Sequence, residues 1–290
     1  MTADSARLER ALGQILWDLR DYLPELVIIG GWVPHLYRLY GGFDAWIVEM
    51  PFTTEVDLLV QPPLARMGNE SIPEILRKAG FEPIGSDRAA AAWAKDPEAG
   101  EKVEFLIAHR GTARQRGRVV PVPDQEGLGA ISLDGLDLLR RHTQVLHVTL
   151  GKYNGAVHRA AVNLPRLGAF AVNKAATFPR RTARVGEAVN PKRSKDLLYL
   201  RDLMSAGEHV VSRIETDIRE IARSDGSAIT AIRTAGSNVR LALHGTLQRI
   251  LPEVADAVAV RSGTSPESAL ADVRGHLTDF VEIIEDVLDS

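Results

Sequence analysis

Apolar residues at Leu8, Leu12, Ile15, Leu16 and Leu19 recur at helical spacing, which predicts a helix over residues 6–23 that Pro24 ends. Leu26-Val27-Ile28-Ile29 then reads as a short buried strand running straight into Gly30-Gly31. Helical spacing returns over residues 32–40 and stops at Gly41-Gly42. Residues 53–60 read as a strand, with Pro62-Pro63 after it. Residues 72–79 read as a helix with Gly80 as its C-cap, and residues 102–108 alternate like a strand. A basic loop carrying Arg110, Arg114, Arg116 and Arg118 follows. Gly127-Leu128-Gly129 has no strand signal before it and is expected to be loop. Residues 145–150 and 156–162 flank Asn154-Gly155, a hairpin signal. From Leu167 onward the spacing is helical: one helix holding Leu197, Leu198 and Leu203, then helices over 210–222, 237–260 and 266–288. This order predicts an α+β protein of two lobes, an α/β lobe over residues 1–165 and a helical lobe over 166–290.

Composition adds limits. The chain has 290 residues, 45% hydrophobic and 25% charged, which is ordinary for a globular protein. It has no cysteine, which excludes a disulfide scaffold, a thiolate nucleophile and a sulfur-ligated zinc. No apolar stretch approaches the roughly 20 residues that span a bilayer, and the N-terminal residues lack the basic start and apolar segment of a signal peptide. A cytoplasmic protein without a membrane partner is expected. The formal net charge is only −3, but it is unevenly spread. Residues 151–201 hold 11 Lys/Arg against 2 acids, and residues 202–290 hold 8 Arg against 15 acids. Such a basic segment reads either as a polyanion site, for a nucleotide or a nucleic-acid backbone, or as a solvated helix face.

Four pieces carry candidate chemistry. Gly30-Gly31 between a strand and a helix lets a backbone approach a ligand, and the helix start favours an anion. Glu55 and Asp57 lie two apart on a strand, so both point to one face while Val56, Leu58 and Val60 point to the other. Two such carboxylates repel unless a cation lies between them, which favours Mg²⁺, or Mn²⁺ in its place; the other reading is an exposed strand face. Glu104, in the middle of an apolar strand, can join them if that strand is a neighbour, and otherwise faces solvent. Lys174 sits on an apolar helix and is followed 22 residues later by Asp196, next to Lys195. Its stem would cover packing surface and its ammonium would meet a phosphate, unless it merely reaches solvent.

There is no Gly-x4-Gly-Lys phosphate loop and no Gly-x-Gly-x-x-Gly fingerprint. Trp32, Trp46 and Trp93 read as packing residues, and His142 and His147 as structural ones.

Taken in order, Gly30-Gly31 after a strand, Glu55-Val56-Asp57 and then Glu104 resemble the DNA polymerase beta-type nucleotidyltransferase superfamily. Lys174 and Lys195-Asp196 look like the third and fourth motifs of its AbiEii-like branch, which includes the toxins of type IV toxin–antitoxin systems and the mycobacterial MenT toxins. The resemblance spans residues 26–205. Two positions depart from the pattern: Glu55 stands where aspartate is usual, and Gly31 where serine often follows the first glycine. The interval from Gly31 to Glu55 is also longer than in compact members.

The resemblance implies a nucleotidyltransferase-fold mixed sheet with flanking helices, and transfer of a nucleoside monophosphate from an NTP to an acceptor hydroxyl with release of pyrophosphate. Glu55, Asp57 and Glu104 would hold the metals, or Glu104 would take the hydroxyl proton. Gly30 and Gly31 would cradle the triphosphate, with Lys174 and Lys195 on the nucleotide side. Asp196 would be a further acid that positions Lys174 or the nucleotide. Arg180, Arg181, Lys192, Arg193 and Lys195 would hold an RNA acceptor, with a tRNA 3′ end implied by the branch. A toxin would have a cognate antitoxin, for which the acidic amphipathic segment 280–288 offers one surface; an ordinary packed helix is the other reading of it. Transfer to a small molecule or a protein, and a non-catalytic nucleotide- or RNA-binding protein on the same fold, are the alternatives.

Overall fold

The computed structural model describes residues 3–43, 46, 53–85, 89–96, 101–109, 116–153, 156–180 and 191–290. The fold is α+β, a mixed sheet with helices followed by a helical C-terminal region. Contacts divide the chain into two compact units, Met1–Gly42 with Pro51–Pro165, and Phe43–Met50 with Arg166–Ser290.

In the first unit, helix α1 (Ala3–Asp18) is followed by a 3-10 turn over Arg20–Glu25, strand β1 (Leu26–Ile29) and helix α2 (Trp32–Tyr40). Pro24 therefore lies inside a 3-10 turn and does not end α1, which stops earlier, at Asp18. A proline is tolerated there because a turn this short makes little use of the N–H it lacks. Next come β2 (Glu55–Val60), α3 (Ile72–Lys78), β3 (Glu82–Ile84), β4 (Ala89–Ala90), β5 (Ala92–Asp96) and β6 (Glu101–Ala108). Ser71 caps α3 in a reciprocal box with Glu74. After them run β7 (Val119–Pro121), β8 (Gly127–Leu133), α4 (Leu136–Arg141), β9 (Thr143–Tyr153) and β10 (Ala156–Pro165). Gly127-Leu128-Gly129 is thus the start of a strand, not a loop. Its pairing with β4 brings the backbones so close that a Cβ on Gly129 would stand 2.7 Å from the Ala89 carbonyl oxygen, so glycine there marks a strand contact.

The main path of the sheet runs β3-β5-β6-β2-β1-β10-β9, with β8 alongside the second half of β6. β2 is antiparallel to β1 and parallel to β6, so it is central and covered, and Val56, Leu58, Leu59 and Val60 are all buried. β9 and β10 form the long antiparallel hairpin that the spacing predicts; Asn154 and Gly155 lie outside the described residues.

The second unit is built on α5 (Leu167–Thr177), whose residues 167–176 are all buried. It contacts α6 (Pro191–Met204), α7 (Glu208–Ser224) and α8 (Ile229–His244), and α9 (Leu251–Ser262) and α10 (Pro266–Asp289) complete the unit. The single helix expected over 237–260 is two helices. Gly245 is extended (φ −123°, ψ −150°) and ends α8, and Pro252 opens α9. α8 also starts earlier, at Ile229, where buried Ile232, Ala235 and Gly236 carry its packing face. No helix among the described residues is long and apolar enough to cross a membrane.

Candidate active site

The register of β2 and β6 assembles the acidic cluster, with β1 on the other side of β2. Pairing sets Ile29 of β1 opposite Asp57 of β2, and Asp57 opposite Glu104 of β6. One step along, Glu55 faces Lys102. Side chains two apart share a face, so Glu55, Asp57, Lys102 and Glu104 form a two-by-two patch. Their apolar neighbours Val56, Leu58, Val103 and Phe105 are buried on the opposite face. Glu55, Asp57 and Glu104 each offer a carboxylate oxygen, and the three oxygens lie within 4.8 Å of one another, all half-buried. Hard oxygen donors gathered this closely fit Mg²⁺ or Mn²⁺.

Lys102 is the member of this patch that the sequence reading passes over. Its ammonium donates to Glu55 Oε1 and, at 3.1 Å, to Glu104 Oε1, so a cation already bridges two of the three acids. Burial alone would depress the Lys102 pKa. The hydrogen bonds and negative charge of Glu55 and Glu104 outweigh that effect and hold it above the ordinary lysine value. The signal was present: Lys102 has the same strand parity as Glu104.

Gly30 follows β1 and has φ +73°. A Cβ there would overlap Asp57 Oδ2 and stand 3.0 Å from Asp57 Cγ. Glycine is therefore required twice, for the left-handed backbone and for room beside the Asp57 carboxylate. Gly31 is in ordinary helical geometry at the N-cap of α2, with no side-chain cap, which leaves the first-turn N–H groups without a capping oxygen from that residue.

In the helical unit, Lys174 is buried on α5 and donates at 2.7 Å to Asp196 Oδ1 on α6. Its ammonium also lies 5.2 Å from the ring centres of Phe170 and Tyr199. Lys174 is thus not a surface lysine reaching solvent. Exposed Lys195 has its ammonium 5.7 Å from the Tyr199 ring centre. The side chains of Arg180, Lys192 and Arg193, and all of Arg181, Arg110 and Arg114, lie outside the described residues.

Part of the basic segment is answered by the acidic one. Arg166 pairs with Glu220, and Arg201 holds Asp272 through Nε at 2.7 Å. Within the acidic segment itself, buried Asp202 accepts from Nη1 and Nη2 of Arg261, each at 2.7 Å. Trp32 and Trp93 are buried, as packing residues should be.

A family model described as Nucleotidyltransferase matches residues 11–221. No curated protein and no solved structure matches the chain.

Proposed function

The chain belongs to this nucleotidyltransferase family, and on that footing we propose that it transfers a nucleoside monophosphate from an NTP to an acceptor hydroxyl, with divalent cations held by Glu55, Asp57 and Glu104. The observation that carries the reading is the meeting of three carboxylates from two strands beside a glycine that leaves room for one of them. When bound, the cations would stabilise the charge that develops on the attacking and leaving oxygens. The protein's own part is to orient these ligands. Neighbouring β2 and β6 fix the carboxylates in one patch, and Gly30 keeps Asp57 unobstructed. Glu104 would accept the acceptor's proton if it is not wholly engaged with metal. Gly30 and Gly31 would offer backbone N–H groups to the triphosphate. Lys174, held by Asp196, and Lys195 would serve the nucleotide phosphates.

RNA is the acceptor we favour, with a tRNA 3′ end as its reacting hydroxyl, and the chain then acts in the cytoplasm as the toxin of a type IV toxin–antitoxin pair. The support is the resemblance of Lys174 and Lys195-Asp196 to the motifs of that branch, together with the basic sequence run Arg180, Arg181, Lys192, Arg193 and Lys195, which would hold RNA phosphates. An antitoxin partner follows from the same reading. Incubation with Mg²⁺, labelled NTPs and total RNA tests it. Labelled RNA that disappears in Asp57→Ala is the expected result. Label appearing in metabolites or protein would replace the acceptor, and the absence of any transfer would remove the activity.

A further inference from the structure

The acid patch carries a basic side chain of its own, and we propose that Lys102 is a tethered counter-cation: its ammonium occupies the position between Glu55 and Glu104 in the metal-free protein and is displaced when a divalent cation enters. The inference rests on the reading of Glu55, Asp57 and Glu104 as metal ligands, and it assigns the metal threshold of the enzyme to a residue outside that set.

The geometry is specific. Lys102 stands opposite Glu55 across the β2–β6 pair and two residues before Glu104 on its own strand, so it is the one lysine that this register places inside the patch. Its ammonium donates to one oxygen of each glutamate. Bridging two carboxylates from different strands is also what a metal ion at this position would do. The two cations compete for the same carboxylates: Lys102 already engages one oxygen of Glu55 and one of Glu104, and an ammonium held there would face an incoming divalent cation as a like charge at close range.

Displacement is physically open. The Lys102 side chain is 32% exposed and hangs on a flexible four-carbon stem, so it can leave the patch for solvent without unpacking the sheet. The arrangement also explains how three carboxylates can stand together before any metal arrives: the ammonium offsets part of their repulsion.

The test compares Mn²⁺ binding, followed by electron paramagnetic resonance of the free ion, in the wild-type protein and in Lys102→Met and Lys102→Gln. Losing two partly exposed ion pairs that compete with metal should tighten the Mn²⁺ Kd by about tenfold, equivalent to ~1.4 kcal/mol. Removal of any nearby positive charge would tighten binding somewhat, so a second measurement uses the unmutated chain. Reductive methylation followed by peptide mass spectrometry should label Lys102 several-fold faster when Mn²⁺ is saturating. The proposal is overturned if both variants keep the wild-type Kd, or if Lys102 is labelled at the same rate with and without Mn²⁺. If no variant and no wild-type protein binds Mn²⁺ at millimolar concentration, the metal-site reading falls and this inference falls with it.

Discussion

Gly30→Ala separates the backbone role of this glycine from its role beside Asp57. An alanine at φ +73° costs about 1 kcal/mol in conformational strain wherever it occurs. At Gly30 there is a second cost. The new Cβ would lie 3.0 Å from Asp57 Cγ and overlap its Oδ2. Carbon atoms in good contact sit roughly 3.5–4.0 Å apart, so the Asp57 carboxyl carbon would have to retreat by about 0.5–1 Å, and its overlapping Oδ2 by more than that. A shift of that size at a reacting centre is worth up to ~100-fold in turnover, or ~2.7 kcal/mol. Gly42→Ala is the matched control. Gly42 has φ +74°, and nothing lies within 4 Å of a Cβ built on it, so it carries the strain without the clash. Thermal unfolding should show a similar modest loss in both variants, with Gly30→Ala somewhat the worse. Transfer of labelled nucleotide and Mn²⁺ affinity should fall only in Gly30→Ala. If Gly30→Ala transfers nucleotide at the wild-type rate, the carboxylate beside it is not at the reacting centre and the site has been misplaced.

Asp57→Ala should abolish transfer while changing unfolding free energy by no more than about 1 kcal/mol, because the side chain is half-buried and its loss relieves repulsion in the patch; substantial residual turnover would remove Asp57 from the metal site. Lys174→Met strands a buried Asp196 and should cost about 3–5 kcal/mol in urea unfolding, whereas Lys174→Met with Asp196→Leu should recover most of it; equal losses in the two proteins would mean the pair is not the cause. His35 is buried and its pKa is lowered to about 4, first by desolvation and then by the Arg38 charge, so it is neutral in the folded protein at neutral pH. An unfolded His35 titrates at its ordinary value, so the unfolded state binds the extra proton first on acidification. Stability tied to His35 is therefore intact above about pH 6.5 and drains between that pH and about 4, by on the order of 3 kcal/mol for this group alone. Glu9, 3.3 Å from His35 and itself raised by burial, gains protons in the folded state and offsets part of the loss near the bottom of that window. His35→Gln should flatten the slope of unfolding free energy between pH 6.5 and 4, and an unchanged slope would refute the assignment.

How much of this was legible in the sequence depends on how local the cause is. The β1–Gly30-Gly31–α2 passage is encoded by neighbours: four apolar residues, two glycines and a helical run, and the structure places them as read. The alternation of Glu55 and Asp57 against Val56 and Leu58 is likewise a property of one strand. Where the reading slipped, the deciding contact lay elsewhere. Gly127-Leu128-Gly129 became a strand because β4 and β7 pair with it, and two of its three residues are glycines that carry no strand propensity. The expected helix over 237–260 broke at Gly245, whose single extended residue is invisible to a spacing rule that averages over several turns. The adjacency of Glu104 to Asp57 was a conditional statement at the sequence level, since nothing in either strand says which partner it will take. Only the parallel β2–β6 register makes it a fact.

Charge was the least transferable signal, for the same reason. A run of basic residues along the chain describes a field only if its partners are far away. Among the described residues of the helical unit some partners are near: Arg166 is met by Glu220 and Arg201 by Asp272, both carboxylates of the acidic segment, and Lys174 by Asp196. These pairs hold α5, α6, α7 and α10 to one another and have correspondingly less field to offer a polyanion. In the sheet the argument runs the other way. Lys102 contributes one unremarkable charge to the sequence, yet strand parity and register set it among three carboxylates, where one ammonium changes what the patch can hold. Net charge over a window therefore does not show which charges already have partners, and it understated the strand. A charge count becomes chemistry only after the pairing of the chain has been established, and at Lys102 that pairing sets an ammonium on two of the three carboxylates that could hold a metal ion.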